Sequence, residues 1–137
     1  MGDTIRKIDY FHVDAKNKAG EGAKMLTALW ESGVNLLALT GFPSGRKAQI
    51  DLIPEDAGSL KKIAKKVGLK LSVKKTGFLV QGVDRVGAVA EILSELAAAK
   101  INVTAIDAVT AGEGRYGAIF WVKTADVKKT AKTLGAF

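Results

Sequence analysis

The residues best placed to do chemistry lie in Val83-Asp84-Arg85-Val86-Gly87-Ala88-Val89-Ala90-Glu91-Ile92-Leu93, followed one helix later by Lys100-Ile101-Asn102-Val103. The run reads as the end of a strand, a glycine turn, an amphipathic helix and a second strand that opens on an asparagine. At Gly87 the chain must turn from strand into helix, and glycine accepts backbone angles and close approaches that a side chain would block. The N–H groups of the first helical turn then offer a seat for a carboxylate or phosphate. Asn102 brings a donor and an acceptor, suited to the carboxylate and ammonium of an amino acid. The same residues also fit a plain structural role, a tight turn and a capped strand end. Chemistry alone leaves both readings open.

Other chemistries have less behind them. With no cysteine and His12 as the only histidine, a transition-metal site has no donor set, and no cofactor is expected. None of the serines has a base and an orienting acid in recognisable spacing, so the chain is not read as an enzyme. Gly112-Glu113-Gly114-Arg115-Tyr116-Gly117 formally matches G-x-G-x-x-G. A dinucleotide site needs that loop between a strand and a helix, whereas here it joins two strands and predicts a hairpin turn.

The elements that position these residues repeat. Sliding the sequence by 67 residues, without a gap, lays Gly20 on Gly87, Asn35 on Asn102, Phe11 on Phe78, Leu29 on Leu96 and Gly68 on Gly135. Each unit reads β-α-β-β-α-β. In the first, strand Ile5 to Val13 leads to helix Glu21 to Ser32, strand Val34 to Thr40 and a turn over Gly41-Phe42-Pro43-Ser44-Gly45. Strand Lys47 to Ile53, a helix from Pro54-Glu55-Asp56 to Val67 and strand Leu69 to Val73 complete it. The second has strand Phe78 to Val83, helix Gly87 to Ala99, strand Ile101 to Val109, turn Thr110 to Gly114, strand Tyr116 to Lys123 and helix Ala125 to Leu134.

The second unit ends before its fourth strand, which would leave Phe78 to Val83 as an exposed edge, and exposed edges find partners. Leu69 to Val73 is a candidate to pair with it through Lys74-Lys75-Thr76-Gly77. The expected domains are residues 1–75 and 76–137. The expected fold is α+β, two ferredoxin-like units side by side with their second strands adjoining and helices on one face.

Composition bounds the function. With 47% apolar and 26% charged residues, the chain has enough apolar content to fold. Units this small lean on each other or on a second chain, so a homodimer is expected. No apolar run reaches the ~20 residues needed to span a bilayer. The polar start Met1-Gly2-Asp3-Thr4 lacks the apolar core of a signal peptide, and a cytoplasmic location is expected. The formal charge of +7 raises nucleic acid as a partner. Lys61, Lys62, Lys65, Lys66, Lys128, Lys129 and Lys132 all fall in the later helix of each unit, as on a solvated helix face.

The run Asp84-Arg85-Val86-Gly87-Ala88-Val89-Ala90-Glu91-Ile92-Leu93, continued through Leu96-Ala97 to Ile101-Asn102-Val103, resembles the signature of the ACT domain family, small ferredoxin-like modules that bind amino acids or related metabolites. The resemblance spans about residues 76 to 135 and is recognisable but degraded in the first unit. It implies a ligand held between modules and touched by Asp84, Arg85, Val86, Gly87, Ala88, Asn102 and Val103. The matching residues of the first unit are Asn17, Lys18, Ala19, Gly20, Glu21, Asn35 and Leu36, where Asn17 and Lys18 depart from the acidic residue and the arginine. It further implies a regulator that passes ligand binding to its own assembly or to a partner enzyme. The alternatives are an interaction subunit with no ligand and an RNA-binding domain, since RRM domains share this order of elements. On alternation, Gly117, Ile119 and Trp121 would face inward, leaving Tyr116 and Phe120 on an open face as base-stacking aromatics.

Overall fold

The computed structural model describes residues 3 to 137. Its elements are β1 (Thr4–Lys16), α1 (Glu21–Glu31), β2 (Leu36–Ser44), β3 (Lys47–Pro54), α2 (Ala57–Val67), β4 (Lys75–Val83), α3 (Ala88–Ala98), β5 (Val103–Gly112), β6 (Arg115–Val122) and α4 (Val127–Leu134), with a short 3-10 turn at Thr124–Asp126. The architecture is α+β with ferredoxin-like units. Residues 9 to 75 pack as one unit, and residues 3 to 8 pack with Thr76–Phe137 as the other. Residues 3 to 8, counted with the first unit on the sequence repeat, therefore belong to the second.

In the unit formed by residues 9 to 75 the strand order is β2-β3-β1, with antiparallel pairs such as Phe11 opposite Leu52 and Thr40 opposite Asp51. Alternation turns Phe11, Val13, Ile50 and Leu52 to one face, where Met25 and Leu29 of α1 and Leu60 of α2 close over them. Each such side chain contributes about 1.5–3 kcal/mol on burial. Asp56 caps α2 by accepting from the Gly58 N–H at 3.0 Å, and Gly68 ends it in the left-handed region at φ +80°. The strands run on through most of the predicted turn, and the bend falls at Gly45, φ +65°. Pro43 sits within β2, which a strand at the end of a sheet tolerates because its missing N–H disrupts no interior ladder.

Residues 69–73 form no strand. They lie against β1 through the Ser72 N–H donating to the His12 carbonyl at 2.9 Å and the His12 N–H donating to Ser72 Oγ at 2.9 Å. They do not pair with Phe78 to Val83. On the face of this sheet away from the helices, Asp51 is buried, accepting from Thr40 and Gln49 at 3.1 Å each. Burial first, and the Asp51 charge second, push the Tyr10 phenol above its usual range. Trp30 is exposed at the end of α1.

In the other unit β6 lies between β4 and β5, and the start of β1 fills the place left by the absent fourth strand. Asp3 lies against Gly82 and Ile8 against Gly77, so β1 and β4 run in opposite directions there. The Lys7 N–H donates to the Phe137 carbonyl at 2.8 Å, and the Phe137 N–H donates to the Ile5 carbonyl at 3.3 Å. The expected exposed edge at Phe78 to Val83 is thereby covered, and Phe78 and Val80 are fully buried. Their core includes Ile5, Ala88, Ile92, Leu96, Tyr116, Ala118 and Phe120, with the Phe78 and Phe120 rings stacked 5.1 Å apart.

Phe120 thus faces the helices, opposite to the sequence expectation, because the repeat is not gapless. Leu36 and Val103 open equivalent strands 67 residues apart, and Pro43 corresponds to Thr110, but Ser44 corresponds to Gly112 and Leu52 to Phe120, 68 residues apart. Ala111 is the extra residue, accommodated as an irregularity between Thr110 and Gly112. The shift of one turns every side chain of β6 to the other face. The offset returns to 67 by the helix ends, where Gly68 and Gly135 have φ of +80° and +64°. The match at both ends concealed the slip between them.

Candidate functional site

The turn from β4 into α3 is built by Gly87, which caps the helix at φ +83° and ψ 7°. A Cβ at Gly87 would meet nothing within 4 Å, so the requirement is the left-handed backbone rather than close approach. The Ala88 N–H donates back to Arg85 O at 3.3 Å, and the Glu91 N–H to Gly87 O at 3.0 Å, closing the first turn. Behind the turn, the Asp84 N–H donates to Gly114 O in the β5–β6 hairpin at 2.8 Å. That hairpin holds Gly112, Glu113 and Gly114 all at positive φ, which accounts for its glycines without a dinucleotide.

A cleft of about 300 Å³ opens here. Asp84, Arg85 and Gly87 of the turn and Ala88, Val89 and Ala90 of the first helical turn form one side. Ala108, Val109 and Thr110 at the end of β5, with Tyr116 of β6, form the other. The walls are mostly small and apolar, with Val86 and Val109 exposed nearby.

Arg85 is already engaged. Its Nη2 donates to Glu91 Oε2 at 2.7 Å, and its Nη1 donates to Asp3 Oδ1 at 3.2 Å and to the Val83 carbonyl at 3.0 Å. The bonds to Glu91 first and Asp3 second raise the guanidinium pKa further, so it is permanently charged. Tyr116 Oη donates to Asp3 Oδ2 at 2.8 Å, and burial, with that bond behind it, pushes the phenol up to about 12. Tyr116 is therefore a neutral donor to Asp3 across the neutral pH range.

Of the residues anticipated for the second unit, Asp84, Arg85, Gly87 and Ala88 line the cleft, and Val86 stands fully exposed beside it. Asn102 and Val103 are elsewhere. Val83 pairs with Arg115, next to the hairpin, whereas Val103 pairs with Val122 at the far end of β6. At the rise of a strand, Val103 and Thr110 are roughly 23 Å apart. The contributors that sequence reasoning missed are Asp3, Glu91, Ala108, Val109, Thr110 and Tyr116. Antiparallel pairing of β4 with β6 puts the Gly87 turn beside the hairpin, and that signal was present in the predicted topology. The gapless repeat predicts Tyr116 on the opposite face, but Tyr116 and Phe120 are both buried in the core, so they form no open aromatic platform for RNA.

In the first unit Gly20 caps α1 with the same left-handed geometry, φ +89°. Asn17, Lys18 and Ala19 are exposed, Glu21 is half-buried, and Asn35 stands just before the next strand with its amide donating to Glu55 at 3.2 Å. Leu36 begins β2, opposite Pro54.

No described helix is long and apolar enough to cross a membrane. No group of metal-ligating side chains occurs among the described residues.

Residues 78–137 match the model of the ACT domain family. No curated protein matches the chain. Among solved structures, a protein from Bacteroides thetaiotaomicron superposes with a TM-score of 0.80 at 17% identity, over 97% of this chain and 88% of that one. The ligand-free regulatory subunit of aspartate kinase from Thermus thermophilus gives 0.66 at 15% identity, over 98% and 95%. Aspartate kinase from Clostridium acetobutylicum gives 0.60 at 20% identity, over 97% of this chain and 33% of that one. At these identities the likeness is one of fold. The turn, helix and hairpin that frame the cleft all lie inside the residues that match the ACT domain family.

Proposed function

We propose that the chain is a non-catalytic regulatory protein that binds a free amino acid in the cleft beside Gly87 and passes its occupancy to its own assembly or to a partner enzyme. The observation that carries this is the convergence of a helix N-terminus, the Asp84 carboxylate and small apolar walls on one cleft. The N–H groups of Val89 and Ala90 suit an α-carboxylate, because the first turn of a helix has donors without intrahelical partners. Asp84 suits the ammonium, and Ala88, Ala108 and Val109 suit a modest apolar side chain. The cleft is open, and bound small molecules bury most of their surface. A second copy closing over Val86 and Val109 supplies the missing wall, which makes the homodimer part of the site. Asn102, at the other end of β5, then serves only a ligand held by another copy.

The regulatory subunit and the kinase named above are similar in fold, and such a role fits a chain with no catalytic constellation. The mechanism is population shift: a ligand biases assembly only by its difference in affinity for the two states. The test is a melting-temperature screen against the twenty amino acids at millimolar concentration, with Gly87→Val as control. A ligand at 100 times its dissociation constant adds roughly 2.7 kcal/mol of stability, a shift of several degrees. A selective shift that Gly87→Val abolishes supports the reading. No shift with any amino acid overturns it.

A further inference from the structure

β1 begins at the back of the cleft. Asp3 is buried, its side chain 7% exposed, and it accepts from Tyr116 Oη at 2.8 Å and from Arg85 Nη1 at 3.2 Å. Gly82 makes this possible, since a Cβ there would overlap the Asp3 carboxylate. The same stretch of chain is held further on by Ile5, which enters the core, and by the paired bonds of Ile5 and Lys7 with Phe137. Arg85 and Tyr116 also line the cleft. Two groups facing a ligand are therefore the groups that hold the first strand.

We infer that Asp3 is a built-in competitor for Arg85, so that docking of the first strand and binding of a carboxylate ligand are negatively coupled. Both terminal nitrogens of the Arg85 guanidinium are occupied by Asp3, Glu91 and the Val83 carbonyl. Swinging toward a ligand carboxylate gives up the bond to Asp3. An exposed ion pair would make such an exchange nearly free, but a buried carboxylate that loses a charged partner is destabilised. The strand then loosens at its start. By linkage, whatever loosens the strand strengthens ligand binding by the same factor. The start of β1 is thus the output of the site. This rests on the reading that the cleft takes an amino acid.

The test is amide hydrogen exchange on the full chain, read at Lys7 and Phe137, in the native protein, Arg85→Ala and Asp3→Asn. Without ligand, Arg85→Ala speeds both amides about tenfold, the loss of one charge-assisted hydrogen bond, while Leu52 in the other unit is unchanged. Unchanged exchange at Lys7 and Phe137 overturns the coupling. With the twenty amino acids as probes, whichever one binds does so about tenfold tighter to Asp3→Asn, and it speeds the same amides in the native protein. Equal or weaker binding to Asp3→Asn overturns the competition and leaves the cleft reading standing. Should Asp3→Asn not fold, Tyr116→Phe keeps the ring, loses only its bond to Asp3, and tightens binding in the same direction. If no amino acid binds any variant, the cleft reading fails and the competition with it, while the Arg85→Ala exchange still decides whether turn and strand are linked.

Discussion

Gly20 and Gly87 cap α1 and α3 with φ of +89° and +83°, and neither helix receives a side-chain cap, yet the two turns sit in different surroundings. At Gly87 the arginine is tied to Asp3 and Glu91, a tyrosine stands behind it, and a cleft opens toward the end of β5. At Gly20 the corresponding Lys18 is an exposed side chain, and the position matching Tyr116 on the pairing register is Ala48. A repeated backbone supplies the same N–H groups twice. What makes one of them a candidate site is the set of side chains brought by other strands.

The strongest way to break the comparison is to empty the core of one unit alone. Phe120, stacked on Phe78, holds the position that the buried Leu52 holds in the first unit. Phe120→Ala should cost about 3–5 kcal/mol, so the second unit should melt early while the first keeps its own transition in calorimetry.

Next come the glycines themselves. Gly87→Val and Gly20→Val each force a β-branched residue into the left-handed region, at about 1–2 kcal/mol or more. Only Gly87→Val should also abolish ligand-induced stabilisation; equal loss of response from Gly20→Val would show that both turns bind.

The tyrosines sharpen the contrast by pH. The Tyr116 pKa is raised on folding, so its contribution is fully present below the ordinary tyrosine pKa of 10.0 and is lost as pH rises through about 12. Tyr116→Phe should flatten that alkaline loss in the second unit. Tyr10 is also raised, by burial and by Asp51, so the first unit should weaken in the same direction above pH 10.0.

The smallest effect concerns the later helices. Asp56 caps α2 through Gly58 and Ser59, whereas Asp126 makes no side-chain cap to α4. Asp56→Ala should lower the melting temperature slightly more than Asp126→Ala. Because the Ser59 and Gly58 bonds depress the Asp56 pKa, its contribution is present above the ordinary value of 3.8 and disappears as pH falls through the depressed one.

Much of this was legible in the sequence. Gly87 and Gly20 announced left-handed caps, because a strand that turns directly into a helix has few other solutions. Met25 and Leu29, and Ile92 and Leu96, marked the buried helix faces by spacing alone. Gly112 to Gly117 was readable as a hairpin because the residues on both sides alternate as strands. Other features were not legible. Ala111 is an unremarkable alanine, and a one-residue irregularity has no sequence mark of its own. Leu69 to Val73 has strand propensity, but propensity does not fix a ladder, and the stretch is held to β1 through Ser72 without forming a strand.

The sequence by itself determined the repeat, most of the element types, the glycine caps and the half of the cleft contributed by Asp84 to Ala88. These depend on local backbone preference and on the period of apolar residues, both carried by short stretches of chain. Only the tertiary structure decided that Asp3 reaches Arg85 and Tyr116, that Phe137 holds the first strand, that Phe120 faces the helices, and that Asn102 lies a strand's length from Gly87. Each of these depends on strand register and on contacts between residues up to 132 apart in the chain, as Ile5 and Phe137 are. Such contacts form because an unfinished sheet gains buried apolar area and ladder bonds from whichever segment can reach its edge, and that choice is made by the whole fold.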